Sequence, residues 1–170
     1  MSFSSDVKKE LLTVENTPCC DIAQSYGVLL FGRAFSKTEI SILTENSDVA
    51  SVYAKAISIL SGISPDISIS DAGNFSVNVT DRKVISTILE NLGLGDGTLK
   101  KRVNFAVLGS ECCFSAFIRG AFLACGTVTD PAKEYHLEFS SSSRGLCEDL
   151  IKIFDETDIE PKCTVRNGSY

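Results

Sequence analysis

CCDIAQSYGVLLFGRAF, residues 19–35, and CCFSAFIRGAFLACGTV, residues 112–128, align without a gap. Cys19 and Cys20 fall opposite Cys112 and Cys113, Gly27 opposite Gly120 and Leu30 opposite Leu123. Beyond the extra residues DPAK in the second copy, Ile40 and Ile42 fall opposite Leu137 and Phe139. Internal repetition of this kind sets the architecture before single elements are assigned, because both halves must share one supersecondary plan.

Periodicity supplies the plan. Residues 20–33 read as a mostly apolar helix, and residues 35–43 as a hairpin with Phe35, Ile40 and Ile42 on its buried face. Thr44 or Ser47 caps a helix to about residue 63, with Val49, Val52, Tyr53, Ala56 and Leu60 inward. DISISDAGNFSVNVT, residues 66–80, gives two strands around an Asp71-Ala72-Gly73-Asn74 turn, and RKVISTILENLGLG, residues 82–95, gives a helix halted by glycine. The unit is α-β-β-α-β-β-α. The second copy repeats it through a helix at 112–126, strands near 127–129 and 134–140, a helix at 144–156 and a strand near 162–166. Asn167-Gly168 then reads as the turn into a further strand and helix, so the second unit is expected to be truncated, with an unpaired strand edge. The chain thus divides into an N-terminal helix (1–18, capped by Ser4 or Ser5), a first repeat (19–96), a linker (97–111) and an incomplete second repeat (112–170).

Composition fits a globular protein. Of 170 residues, 44% are hydrophobic and 22% charged, which is enough for a core and argues against disorder. The opening MSFSSDVKKELLTVE lacks the apolar segment of a signal peptide, and no apolar run is long enough to span a bilayer, so a cytoplasmic location with reduced cysteines is expected. Seven cysteines fit poorly with a disulfide framework. A net charge of −6 opposes tight binding to a polyanion, whose affinity comes largely from Lys and Arg neutralising phosphates.

Glycine inside a helix costs about 1 kcal/mol relative to alanine, so its recurrence at positions 27 and 120 calls for a compensating gain. Close packing of the two helices supplies one, with Gly27, Gly120, Ala121 and Ala124 keeping the shared face thin.

At this point the residues carry a resemblance. IRGAFLACG, residues 118–126, resembles the LAGLIDADG helix of homing endonucleases, with Gly120 at the third and Gly126 at the ninth position, and SYGVLLFGR, residues 25–33, resembles a more eroded copy. The opening SFSSDVKKELLTVE, the CC pair before each helix, ILTENSDVA (42–50) and RGAFLACGTVTDPAKEYHLEF (119–139) are similar to the WhiA (DUF199) family of bacterial sporulation and cell-division regulators. The resemblance implies an α+β, LAGLIDADG homing-endonuclease-like fold of two pseudo-twofold related units. It also implies a following helix-turn-helix domain that binds DNA, to which nothing in these residues corresponds, and a role in transcription regulation, sporulation, cell division and chromosome segregation.

Active LAGLIDADG enzymes carry an acid at the eighth position of each helix, because hard divalent cations at the scissile phosphate need oxygen ligands. Here the eighth positions are Gly32 and Cys125 and the sixth are Leu30 and Leu123. These are degenerate metal positions, so neither catalysis, a metal nor another cofactor is expected. Asp130 reads as a turn former before proline, and Glu39 is the nearest carboxylate in the matching stretch of the first half. His136, the sole histidine, reads as a surface strand residue. GLGDG, residues 93–97, follows a helix and lacks the GK[ST] ending of a phosphate loop, so it reads as a helix stop and linker. Cys19, Cys20, Cys112 and Cys113 can in principle meet across a pseudo-dyad and bind zinc, but neighbouring cysteines at a helix start point apart, which favours buried packing. Cys125, Cys147 and Cys163 read as core.

The strand faces expected to be exposed carry Lys37, Glu39, Ser41, Ser68, Ser70, Ser76, Asn78, His136, Glu138, Thr164 and Arg166, too few cations to neutralise a row of phosphates. Candidate nucleic-acid contacts are Arg33, Lys100, Lys101, Arg102 and Arg119. The competing reading makes Lys100, Lys101 and Arg102 a solvated linker and lets Arg33 and Arg119 snorkel or pair with acids. Three functions remain in view: a non-catalytic domain of a DNA-binding regulator, a ligand- or partner-binding module, and a residual metal-dependent endonuclease. DNA is the partner implied for a full-length regulator, weakly or not at all for these residues alone, together with protein partners and no membrane.

Overall fold

Two helices of matching sequence lie at the centre of the molecule: α2 (Pro18–Leu30) and α5 (Glu111–Cys125). Both are apolar on most of their surface and both are largely buried, α2 between α5 and the α3 helix (Ser47–Ser61). Proline at the first position of α2 fits a site where no amide hydrogen is needed. The computed structural model describes residues 2–155 and 157–170. Ahead of the central pair, α1 (Phe3–Leu11) is capped by Ser2, whose side chain accepts from the Ser5 amide, so the helix starts before the Ser4 or Ser5 anticipated from sequence.

The first repeat forms an antiparallel sheet in the order β1-β2-β4-β3, from β1 (Ala34–Phe35), β2 (Ile40–Thr44), β3 (Ser68–Ile69) and β4 (Phe75–Val79). Its register sets Phe35 against Ile40 and Ile42 against Val77. Ile40, Ile42, Val77 and Val79 join Tyr53 and Ile57 of α3 in the core. Asn46, and neither Thr44 nor Ser47, caps α3, its Oδ1 accepting from the amides of Asp48 and Val49. The helix ends at Gly62, whose φ of +75° suits glycine. Asp81 caps α4 (Arg82–Asn91) in the same way as Asn46 caps α3. Ser41, expected on an exposed face, is buried: it follows a buried Ile40, and its Oγ donates to Glu39 Oε1 at 2.7 Å, which satisfies the hydroxyl inside.

The second repeat holds less sheet. β5 (Gly126–Val128) pairs with β6 (Leu137–Phe139), and α6 (Arg144–Phe154) follows. Among the described residues no strand forms near 162–166. Arg166 and Ser169 make a single antiparallel bridge around Asn167 and Gly168, both at positive φ as a tight hairpin turn requires. A lone two-stranded ribbon is marginal in water; residues 157–168 are exposed, and the segment is tied down past the turn, where Tyr170 and Ser141 exchange backbone hydrogen bonds at 2.7 and 2.9 Å. Cys163 is likewise exposed and does not join the core.

Residues 97–111 are docked. Val103 and Leu108 are buried, a 3-10 turn spans Phe105–Val107, and Asp149 of α6, itself buried, accepts from Arg102 Nε and the Val103 amide at 2.8 Å each. The Asn104 amide donates to Tyr26 Oη at 2.9 Å, and Tyr26 Oη donates onward to the Arg102 carbonyl at 3.3 Å.

Candidate functional site

The face at which a LAGLIDADG-like pair would act is built by α2 and α5. A Cβ placed on Gly27 would overlap the carbonyl oxygen of Phe117 and stand 3.0 Å from the Ala121 amide nitrogen. One on Gly120 would overlap the Gln24 carbonyl oxygen and stand 2.9 Å from the Val28 nitrogen. Each helix therefore rests its backbone on the glycine of the other. Ala121 is fully buried beside this crossing, and Ala124, one turn on from Gly120, is half-buried.

Beyond the crossing lie the two degenerate positions. Gly32 follows the end of α2, and a Cβ there would stand 2.8 Å from the Ser41 carbonyl oxygen and 2.9 Å from the Tyr53 ring and hydroxyl. The space a carboxylate would need is thus filled by β2 backbone and a buried tyrosine. Tyr53 is held protonated by burial, which raises its pKa. Cys125 is the last residue of α5, and burial pushes its thiol up to about 12. Lys8 of α1 sits at this same helix end. Its Nζ donates to the Leu123 carbonyl at 3.1 Å and stands 5.6 Å from the centre of the Phe122 ring. A cation at a helix C-terminus complements the local dipole, and a site already holding one disfavours a divalent ion. Burial lowers the Lys8 pKa.

The cationic candidates separate. Arg102 spends its guanidinium on Asp149 and reaches Glu148 at 3.2 Å, so it leaves the set of groups open to a phosphate. Arg119 is half-buried and donates from Nη1 to Asn16 Oδ1 at 2.7 Å and Gln24 Oε1 at 2.8 Å, linking α5 to α2 and the residues before it through neutral amides. Arg33, Lys100 and Lys101 are exposed. His136 faces solvent on β6's approach and lies 3.1 Å from Glu138.

One feature escaped the sequence reading, and a second departs from the alternative that reading favoured, buried packing of the paired cysteines. An open apolar groove of about 1100 Å³ runs between α1, α5, α6 and residues 159–170, lined in part by Leu11, Ile118, Phe122, Leu150 and Phe154. The four paired cysteines also converge, with Cys20 and Cys113 buried but Cys19 and Cys112 exposed, so that packing does not account for the outer pair. The Thr17 hydroxyl holds the Cys19 thiol down to about 7, and the Ser110 hydroxyl lowers Cys112.

The WhiA LAGLIDADG-like domain family matches residues 114–170. "Probable cell division protein WhiA" of Ruminiclostridium cellulolyticum is 32% identical over all of the chain and 58% of its own length, and the protein of the same name from Brevibacillus brevis matches to the same extent. The chain is similar over its whole length to proteins of the WhiA family. It spans somewhat over half the length of these relatives. The crystal structure of full-length DUF199/WhiA from Thermatoga maritima superposes with a TM-score of 0.72 at 17% identity, over 99% of this chain and 55% of that one. The N-terminal LAGLIDADG domain of DUF199/WhiA gives 0.68 at 16% identity, over 99% and 81%. The fold is therefore α+β and LAGLIDADG-like, with the paired glycine helices at its centre. Among the described residues no helix is long and apolar enough to cross a membrane.

Proposed function

We propose that this chain is the non-catalytic LAGLIDADG-like region of a cytoplasmic WhiA-family regulator, acting in transcription during cell division, chromosome segregation and sporulation. It is a scaffold that holds partners through protein contacts and adds weak DNA contacts to those of a separate DNA-binding domain. The observation that carries this reading is the filled space at Gly32, where Tyr53 and the Ser41 carbonyl stand in the place of a metal-binding carboxylate. Lys8 at the end of α5 adds a charge of the wrong sign for a divalent cation. The DNA contribution rests on Arg33, Lys100 and Lys101, and three exposed cations on a chain of net charge −6 support only weak, strongly salt-dependent association.

Incubation of the chain with plasmid DNA and Mg²⁺ or Mn²⁺ tests the first half of the proposal, with no cleavage above a metal-free control as the expected outcome. Chelator-sensitive cleavage overturns it. Gel shifts across a salt series test the second half, and strong duplex binding by residues 1–170 at physiological salt would overturn that. The apolar groove beside α6 favours a second reading, a partner-binding module with no DNA contact at all, which predicts no salt-sensitive shift even in dilute buffer.

A further inference from the structure

Cys19 and Cys20 are the second and third residues of α2, and Cys112 and Cys113 hold the same places in α5. The crossing at Gly27 and Gly120 brings those two helix starts together, and the four Sγ atoms all lie within 4.8 Å of one another. Thr17 and Ser110, the residues capping the two helices, do not bond a backbone amide through their side chains as capping hydroxyls ordinarily do. They turn to sulfur instead. Thr17 Oγ1 lies 3.3 Å from Cys19 Sγ, and Ser110 Oγ lies 3.1 Å from Cys112 Sγ and donates to Cys113 Sγ at 3.1 Å. Two polar hydroxyls and two positive helix ends therefore face one group of thiols, as a bound cation's thiolate ligands would require.

We propose that Cys19, Cys20, Cys112 and Cys113 bind one zinc ion, which clasps the starting turns of the two central helices. A tetrahedral zinc with bonds of about 2.3 Å sets its four sulfurs about 3.8 Å apart, so rotation of the cysteine side chains by a fraction of an ångström to an ångström per pair closes the site. Sulfur ligands alone exclude Mg²⁺ and Ca²⁺, which require oxygen. Sulfurs this close suit a single ion better than an iron–sulfur cluster, whose irons and bridging sulfides hold the ligands farther apart. Binding is not a redox step: Zn²⁺ displaces the thiol protons, up to four, which leave to solvent. The resulting dianionic centre is balanced by the Thr17 and Ser110 hydroxyls and by the amide ends of α2 and α5. Four protein ligands leave no open coordination position, so the ion is structural.

The experiment is a titration of the reduced 170-residue chain with Co²⁺ under anaerobic conditions, followed by displacement with Zn²⁺. The expected result is the thiolate-to-cobalt charge-transfer band with the intense visible bands of tetrahedral cobalt, saturating at one ion per chain and bleached by one equivalent of zinc. Zinc should also raise the melting temperature, reversibly on chelation. Cys19→Ser and Cys112→Ser, both at exposed positions, should each weaken or abolish the tetrahedral spectrum with an unchanged far-ultraviolet circular dichroism spectrum, while Cys163→Ser should leave it intact. Absence of a thiolate–cobalt band in the folded wild-type chain overturns the site. So does a band that survives in the Cys19→Ser/Cys112→Ser double variant, or a metal-free protein in which mass spectrometry finds these cysteines joined as disulfides.

Discussion

Gly27 and Gly120 are reciprocal: the carbonyl oxygen of Phe117 fills the space above the first, and that of Gln24 the space above the second. Neither position can accept even a methyl group unless the helices move apart. Since α2 also carries Tyr26, Leu29 and Leu30 into the core and α5 carries Phe117 and Leu123, separating them disturbs most of the interior.

Alanine at either glycine is accordingly expected to destabilise the chain, although alanine is the better helix former. Overpacking costs about 1–3 kcal/mol and more against rigid backbone, while the gain in helix propensity is about 1 kcal/mol. Urea unfolding of Gly27→Ala and Gly120→Ala should show a net loss of about 2 kcal/mol each. The double variant should lose less than the sum, because one displacement of the helices relieves both clashes. A fully additive double variant would show that the two sites are independent.

Gly32→Asp restores the acid of an active LAGLIDADG helix, yet the side chain would enter space held by Tyr53 and the Ser41 carbonyl. A carboxylate forced against a carbonyl oxygen and a buried ring is expected to cost about 3 kcal/mol or more. The variant should melt well below the parent and acquire no Mg²⁺-dependent cleavage. Normal stability together with metal-dependent nicking would mean that the position is still a working metal site.

The repeat made most of this legible in advance. Matching Gly27 with Gly120 located the two helices to within three residues at each end, and alternation at Phe35, Ile40 and Ile42 located the hairpin. Errors arose where a tertiary partner overrode a local pattern. Ser41 looked solvent-facing until Glu39 gave its hydroxyl a bond inside, and Arg102 looked like a free cation because its partner Asp149 lies 47 residues away. The cysteine quartet shows the same limit: each CC pair implied divergent side chains on one helix, whereas convergence depends on how two helices cross, which no local signal encodes.

Asp149 joins the segment before α5 to the last helix, accepting from the Arg102 guanidinium and from the buried Val103 amide. Asp149→Ala leaves that amide without a partner and frees a guanidinium that is already partly in water. The loss is expected to be about 2–3 kcal/mol, that of charge-assisted hydrogen bonds discounted for the exposed arginine. Arg102→Ala should cost less, since the buried carboxylate keeps the Val103 amide at 2.8 Å and Lys152 at 3.8 Å. Hydrogen exchange should show early opening of residues 101–108 in both variants. Protection unchanged at Val103 in Asp149→Ala would mean that the carboxylate does not hold this segment.

Tyr26 sets an alkaline limit on the fold. Burial pushes its phenol from 10.0 up to about 12, so at high pH the unfolded chain releases a proton that the folded chain retains. The contribution of Tyr26 to stability is complete below pH 10, declines as pH rises and is lost by about pH 12. Ultraviolet absorbance should detect the Tyr26 phenolate only as the protein unfolds. Tyr26→Phe removes the acceptor of the Asn104 amide and the donor to the Arg102 carbonyl, which costs about 1–2 kcal/mol at neutral pH. It also removes one titrating group, so its loss of stability between pH 10 and 12 should be shallower than that of the parent. Parallel pH profiles for the two proteins would show that Tyr26 ionises as freely in the folded chain as in the unfolded one.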